Sequence, residues 1–255
     1  MKTALVTGAS SGIGVEFAKL LANDKYNLIL TARSEETLNS IANELKTQYN
    51  IEVTVIAHDL SAPGAGIELS KKVADKGIEV DVLINNAGFG DHGQFVESAM
   101  AKTIDMLNLN VVNLTELSLI YGKQFADKKT GMLLNVASTA AFQAIPKMSV
   151  YAATKAYVLH FTEAMHFELR GTGVHVSALC PGPTKTGFME AASMGESPLF
   201  DKNAMSAKAV AEKGYKGLKK NKAVIITGFK NVFFARIADA TPFRKLKVWI
   251  ASKMV

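Results

Sequence analysis

The chain has 255 residues, 48% of them hydrophobic and 20% charged, with a formal net charge of +6 and one cysteine. That size and apolar content suit a single large α/β domain with a substantial core. The lone Cys180 excludes an internal disulfide and fits a reducing compartment, and no uninterrupted apolar run approaches the length that crosses a bilayer.

Lys2–Thr7 is a short apolar run, read as a buried strand, and Gly8-Ala9-Ser10-Ser11-Gly12 follows it as a turn; together they read as fold rather than as a signal peptide. Ile13, Phe17, Leu20 and Leu21 then recur at helical spacing. Asn27–Ala32 is a second strand, and Ser34 caps a helix running to Lys46 with Leu38, Ile41 and Leu45 on one face. Glu52–Ala57 is a third strand, ending at His58-Asp59, with a helix over 67–74 after it. Val80–Asn85 is a fourth strand, 101–126 one long helix, and Met132–Ala137 a fifth strand. Helix 149–169, strand 174–179, helix 207–219 and strand 223–227 complete the alternation. The stretch 187–207 has no clean period and reads as a flap over a pocket, while 229–254 reads as helical with a break near Pro242.

Strands alternating with helices of this length imply βαβ units, and strands apolar throughout imply a sheet covered on both faces. The expected fold is α/β: a doubly wound, mainly parallel, seven-stranded sheet with helices on both faces. No repeat or linker divides it, so residues 1–255 form one domain. Charge is uneven. From Lys202 onward thirteen Lys or Arg face two acids, Glu212 and Asp239, so this part carries +11 and the rest −5. No nucleic-acid motif accompanies the excess. Residues 229–255 mix aromatic and basic side chains, which suits a peripheral contact with an anionic membrane or packing on a partner subunit.

The glycine turn from Gly8 to Gly14 (Gly8, Ser10, Ser11, Gly12, Ile13, Gly14) joins a strand to a helix. Glycine permits tight dihedrals and close approach of a phosphate, and the helix N-terminus offers free N–H groups to a pyrophosphate. The spacing is Gly-x-x-x-Gly-x-Gly, and in isolation it could be a plain turn. Arg33 stands just past the second strand, where a dinucleotide fold places an acid for a ribose hydroxyl or a base for a 2′-phosphate. Leu30-Thr31-Ala32-Arg33 has no acid, which favours NADP; a surface arginine paired with Glu35 or Glu36 is the structural alternative.

Tyr151 and Lys155 lie four apart on a helix, so a phenol and an ammonium share one face, and the cation is expected to lower the phenol's pKa. Such a pair can act as a general acid or base. With 6 Tyr and 25 Lys, chance alone supplies roughly 0.6 such matches. Tyr215 with Lys219 is a second match, read as a solvated lysine-rich face. Asn85-Asn86-Ala87-Gly88 ends the fourth strand and Ser138 the fifth, at the carboxyl ends where ligands bind in such sheets.

Taken jointly, Gly8, Gly12, Gly14, Asp59, Asn85–Gly88, Asn110, Ser138, Tyr151, Lys155, Pro181-Gly182 and Thr186 follow the expected order of one family. From residue 3 to about 187 the chain resembles a single-domain, Rossmann-type short-chain dehydrogenase/reductase of the NADP-preferring kind. The resemblance implies Tyr151 as catalytic acid/base, Lys155 as its electrostatic partner and a ligand of the nicotinamide ribose, and Ser138 as holder of the reacting oxygen. Asn110 is implied to position a water behind Lys155, and Asp59, with Leu60, to contact the adenine. Asn86, Ala87, Gly88, Pro181, Gly182, Thr184 and Thr186 complete the expected NADP(H) site, although the family more often has Val or Ile at Thr184. No metal is expected, since His58, His92, His160, His166 and His175 form no ligand pattern.

Phe89, Phe95, Phe142, Met148, Phe188, Met189 and Met194 suggest an apolar carbonyl or alcohol substrate, of which acyl thioesters and sterols are examples. A cytoplasmic homodimer or homotetramer is expected. The competing reading is a non-catalytic NADP-binding sensor.

Overall fold

The computed structural model describes residues 1–187, 204–240 and 242–252. Seven strands make one sheet: β1 (Thr3–Thr7), β2 (Asn27–Ala32), β3 (Val53–Ala57), β4 (Val82–Asn85), β5 (Gly131–Val136), β6 (Val174–Cys180) and β9 (Val224–Ile226). Their order is β3-β2-β1-β4-β5-β6-β9, and every pairing is parallel. A separate parallel pair, β7 (Thr184–Lys185) with β8 (Met205–Ser206), has no counterpart in the expectation; two-residue strands carry no readable period.

Alternate residues of each strand point to opposite layers, so both must be apolar. From β1, Ala4 and Val6 face a layer made by α1 (Gly12–Asn23), α2 (Glu35–Tyr49) and α7 (Ala207–Lys219), where Phe17, Leu38 and Leu218 are buried. Leu5 faces the other layer, made by α3 (Ala65–Ala74), α5 (Asn113–Lys128) and α6 (Ser149–Glu168), with Leu69, Phe125 and Met165. The chain leaves β1 toward β3, then returns to β4 on the other side of β1. That reversal opens a crevice at the carboxyl ends of β1 and β4.

Two helical expectations change. The single helix over 101–126 is α4 (Met100–Leu107), a π turn over Asn108–Val112, and then α5. The wider turn holds one buried asparagine, Asn110, and is followed directly by another, Asn113, with different duties. Asn110 Nδ2 donates to Phe89 O at 2.9 Å and Thr154 Oγ1 at 3.2 Å. Asn113 Nδ2 donates to Leu60 O at 2.7 Å and Ala62 O at 2.8 Å. Tyr215 is buried in the core rather than solvated, and its hydroxyl donates to Asp24 Oδ2 at 2.8 Å. Asp24 precedes β2, so this second Tyr–Lys pair lies at the end of the sheet away from the crevice. The tail forms α8 (Phe229–Ala240) and α9 (Arg244–Ser252), interrupted around Pro242 as expected.

Candidate active site

The glycine turn is shaped by backbone that leaves no room for Cβ atoms. Gly8 and Gly12 have φ of +63° and +56°, and a Cβ on Gly14 would lie 2.2 Å from Gly8 O. Asn86, at the end of β4, clamps the turn: its Nδ2 donates to Thr7 O at 3.0 Å and Gly8 O at 3.1 Å. Thr7 Oγ1 accepts from the N–H groups of Asn86 and Ala87, both at 2.9 Å, which locks β1 to β4. Ser11 stands at the N-cap of α1 without a side-chain cap bond, and the first turn holds no acid. The helix end is therefore disposed toward an external anion, with Ser10 and Ser11 beside it. A Cβ on Gly12 would lie 2.8 Å from Thr186 Cγ2, so the segment after β6 closes over the turn.

Around this cradle, Arg33 is exposed just beyond β2, and its charge acts on Asp59 beyond β3. Burial pushes the Asp59 carboxyl up, but hydrogen bonds from the Ser61 N–H and hydroxyl, with Arg33 and His58, outweigh it and hold the group below its usual value. Those two Ser61 bonds, at 2.9 and 2.8 Å, occupy Asp59 Oδ1. Leu60 packs its side chain into the core, and its carbonyl accepts from Asn113 Nδ2. Pro181 O accepts from Thr139 N at 2.9 Å, and Thr184 Oγ1 donates to Gly182 O at 2.9 Å. A Cβ on Gly182 would lie 2.2 Å from Asn231 Nδ2, which seats α8 against this loop.

Ser138 follows β5 and Tyr151 and Lys155 lie in the first turns of α6, and the structure brings the three together. Ser138 Oγ accepts from Ala140 N at 3.1 Å, so it caps the following 3-10 turn, and it also hydrogen-bonds Tyr151. Lys155 Nζ lies 5.8 Å from the Tyr151 ring centroid and donates to Val136 O at 2.9 Å. Gly88 separates the amine from Asn110: a Cβ there would lie 2.9 Å from Asn110 Oδ1 and 3.4 Å from Lys155 Nζ. Tyr151 and Lys155 are 8% and 4% exposed, and this burial dominates their titration. Burial pushes the phenol up to about 12, with the Ser138 bond pulling it back in part. Burial also draws the ammonium down to about 8, against the influence of Cys180 beside it. The expected lowering of the phenol by its cation is thus reversed here, because desolvation exceeds the effect of the neighbour.

Of the apolar residues expected near the substrate, Phe89 and Met148 pack with Met106, Ala140 and Tyr151. Phe95 is exposed, and Phe142 lines a groove of about 440 Å³ with Ala152, Ala153, Ala156 and Val248. That groove lies on a different face of α6 from Tyr151 and Lys155. Phe188, Met189 and Met194 lie outside the described residues. No group of three His, Cys, Asp or Glu among the described residues could hold a metal. Sequence reasoning passed over Thr7, Asn113 and Thr154, and also Asn135 and Thr162, which continue a buried line from Asn85 Nδ2 to Asn135 Oδ1 (2.9 Å) and from Asn135 Nδ2 to Thr162 Oγ1 (3.0 Å). Two asparagines at equivalent positions of neighbouring apolar strands were the available signal.

A model of the short chain dehydrogenase family matches residues 2–197. The chain belongs to the short-chain dehydrogenase family. This family is one of oxidoreductases. The chain is 34% identical over 181 residues to the ketoacyl reductase HetN of Nostoc sp., covering 71% of this chain and 63% of that one. It is 31% identical over 205 residues to the very-long-chain 3-oxoacyl-CoA reductase of Anas platyrhynchos, covering 78% and 64%. The chain thus spans under two thirds of the length of these relatives. Among solved structures, a short-chain dehydrogenase from Sphingobium yanoikuyae in complex with NADPH superposes with a TM-score of 0.83 at 27% identity, over 96% of each chain. A family member from Burkholderia phymatum in complex with NAD gives 0.82 over 92% of each chain; at 24% identity that likeness is one of fold.

Proposed function

We propose that this dehydrogenase transfers a hydride between NADP(H) and an apolar carbonyl or alcohol compound, with Tyr151 as general acid and base. The observation that carries the reading is the convergence of the Ser138 hydroxyl, the Tyr151 phenol and the Lys155 amine beside a glycine cradle that side chains would fill.

The cradle fits a dinucleotide. The turn from Gly8 to Gly14, with Ser10, Ser11 and Ile13, would hold the pyrophosphate, Arg33 the 2′-phosphate, and Asn86 to Gly88 the adenine-side ribose. Lys155 and Tyr151 would hold the nicotinamide ribose, and the Pro181–Thr186 segment the carboxamide. Asp59 and Leu60 remain as backbone neighbours of the adenine. When bound, the nicotinamide supplies the hydride chemistry.

Charge develops on the substrate oxygen during reduction, and Ser138 and Tyr151 are donors preorganised for it. A phenol held at about 12 is fully protonated at neutral pH, yet remains a stronger acid than an aliphatic alcohol, so its proton moves readily to an alkoxide. In oxidation the same group must lose that proton, and there the Lys155 charge assists. Asn110 holds the Phe89 main chain and Thr154, so what it offers toward a water behind Lys155 is its own carbonyl in the π turn.

Phe89, Met106 and Met148 around Tyr151 favour an apolar substrate, such as an acyl thioester or a sterol-like ketone. A homodimer or homotetramer has support in Leu119, Tyr157 and Phe167, which leave apolar surface on α5 and α6. Tyr151→Phe tests the chemistry. NADPH-dependent reduction should fall by about 10²–10⁴ while NADPH still binds, the range spanned by a positioned acid/base. Turnover within tenfold of the parent refutes the role. A substrate panel that yields turnover on small hydrophilic sugars alone refutes the apolar assignment.

A further inference from the structure

We propose that α8 and α9 are a membrane-surface element that lays this dehydrogenase on an anionic lipid bilayer. The proposal is independent of the reductase reading, since it rests on surface residues outside the catalytic cleft.

The inner edge of the pair is seated on the protein. Ala235 and Ala238 of α8 and Ala251 of α9 are buried, and Val248 lines the groove with Phe142 and Ala156. The outer side is unusual for water. Phe229 is 90% exposed, Phe233 and Phe234 58% each, Phe243 68% and Trp249 60%, with Ile237 and Ile250 also exposed. Five aromatic rings open to solvent within one short segment exceed what scattered surface apolar residues explain.

Their placement is ordered. Phe229, Phe233 and Ile237 follow one another at four-residue steps, so they form a single ridge along α8. At 100° per residue, Lys230 and Arg236 flank that ridge about 60° to either side of Phe233. On α9, Lys245 lies one turn before Trp249 and Arg244 adds to the charge, while Lys247 Nζ turns back to donate to Ala238 O. An apolar ridge with cations along its margins matches a helix lying in the interface plane, rings below the headgroups and cations level with them. No described helix is long and apolar enough to cross a membrane, so the contact is peripheral.

Charge selects the occupant. Residues 229–252 carry Lys230, Arg236, Arg244, Lys245 and Lys247 against Asp239. A second copy docked here by a two-fold axis would set two strongly basic surfaces against each other. A leaflet rich in anionic headgroups instead attracts the exposed cations Arg236, Arg244 and Lys245, by about fivefold in partitioning per residue.

The single tryptophan of the chain is Trp249, so intrinsic tryptophan emission reports on α9 alone. The full-length protein is titrated with vesicles of mixed phosphatidylcholine and phosphatidylglycerol and with vesicles of phosphatidylcholine only. Emission should shift to the blue, and protein should float with the vesicles, in the anionic mixture alone, and raised salt should reverse both. The double variant Phe233→Ser/Phe234→Ser and the charge variant Arg244→Glu/Lys245→Glu should each weaken vesicle binding by at least about tenfold. Their NADPH affinity should be unchanged, which separates this result from any fault in the nucleotide site. Unshifted emission without flotation overturns the proposal, as does equal binding to neutral vesicles. A blue shift that grows with protein concentration in the absence of lipid, with a doubled mass, also overturns it and assigns the face to a second copy.

Discussion

Among the described residues Lys155 is buried without a carboxylate partner, and that has a measurable consequence in the nucleotide-free protein. The residue is 4% exposed, its amine donates to Val136 O, and burial draws it down from the ordinary 10.5 to about 8. The folded state therefore binds this proton less tightly than the unfolded chain does. Below about pH 8 both states are protonated and folding carries the full cost, about 3 kcal/mol for a displacement of this size. Between about 8 and 10.5 the unfolded state holds more protons, so stability rises with pH. From about pH 8 to about pH 10 the gain is about 2 kcal/mol. The buried tyrosines act in the opposite sense only above about pH 10, because burial raises Tyr151 from its ordinary value of 10.0. Urea unfolding of the parent and of Lys155→Met across that window isolates the effect. With an m-value of about 3 kcal/mol/M, the parent's midpoint should climb about 0.7 M relative to the variant. Parallel pH profiles would mean that Lys155 is not desolvated in the folded state, and the electrostatic account of the site would fail with it.

Gly14→Ala places a methyl group 2.2 Å from the Gly8 carbonyl, and neither backbone can retreat without opening the turn. NADPH affinity by calorimetry should drop by at least about tenfold, with a stability loss of about 1–3 kcal/mol, as for an overpacked site. Arg33→Ala should raise the KM for NADPH by about 10–100-fold, the worth of a charge-assisted bond, and leave the KM for NADH nearly unchanged. Equal effects on both cofactors would remove Arg33 from the 2′-phosphate site. Tyr215→Phe should behave unlike Tyr151→Phe: activity is retained, and stability by urea unfolding falls by about 1–3 kcal/mol as the bond to the Asp24 carboxylate is lost.

What could be read in advance, and what could not, follows from which residues answer to local physics. The strands of this sheet are largely apolar on both faces because α1, α2 and α7 cover one and α3, α5 and α6 the other, so seven strands showed through as mainly apolar runs. The candidate site was legible as a constellation because its parts sit at strand ends and first helical turns: the Gly8–Gly14 turn after β1, Ser138 after β5, Tyr151 and Lys155 in α6. The π turn at Asn108–Val112 was not legible, since helical periodicity continues across it and its cause is tertiary: Asn110 reaches Phe89 and Thr154, Asn113 reaches Leu60 and Ala62. Tyr215 was misread for the same reason, because its partner Asp24 lies 191 positions away. The titration of Tyr151 and Lys155 belongs to this second class. Four-residue spacing brings a phenol and an amine together, but whether the cation lowers the phenol or both resist ionisation is decided by how much water the fold removes, and here Val136, Gly88 and the 3-10 turn after Ser138 remove nearly all of it. Spacing therefore brings a phenol and an amine together at Tyr151 and Lys155 as it does at Tyr215 and Lys219, and only the surrounding structure determines where each pair sits and which protonation state it rests in.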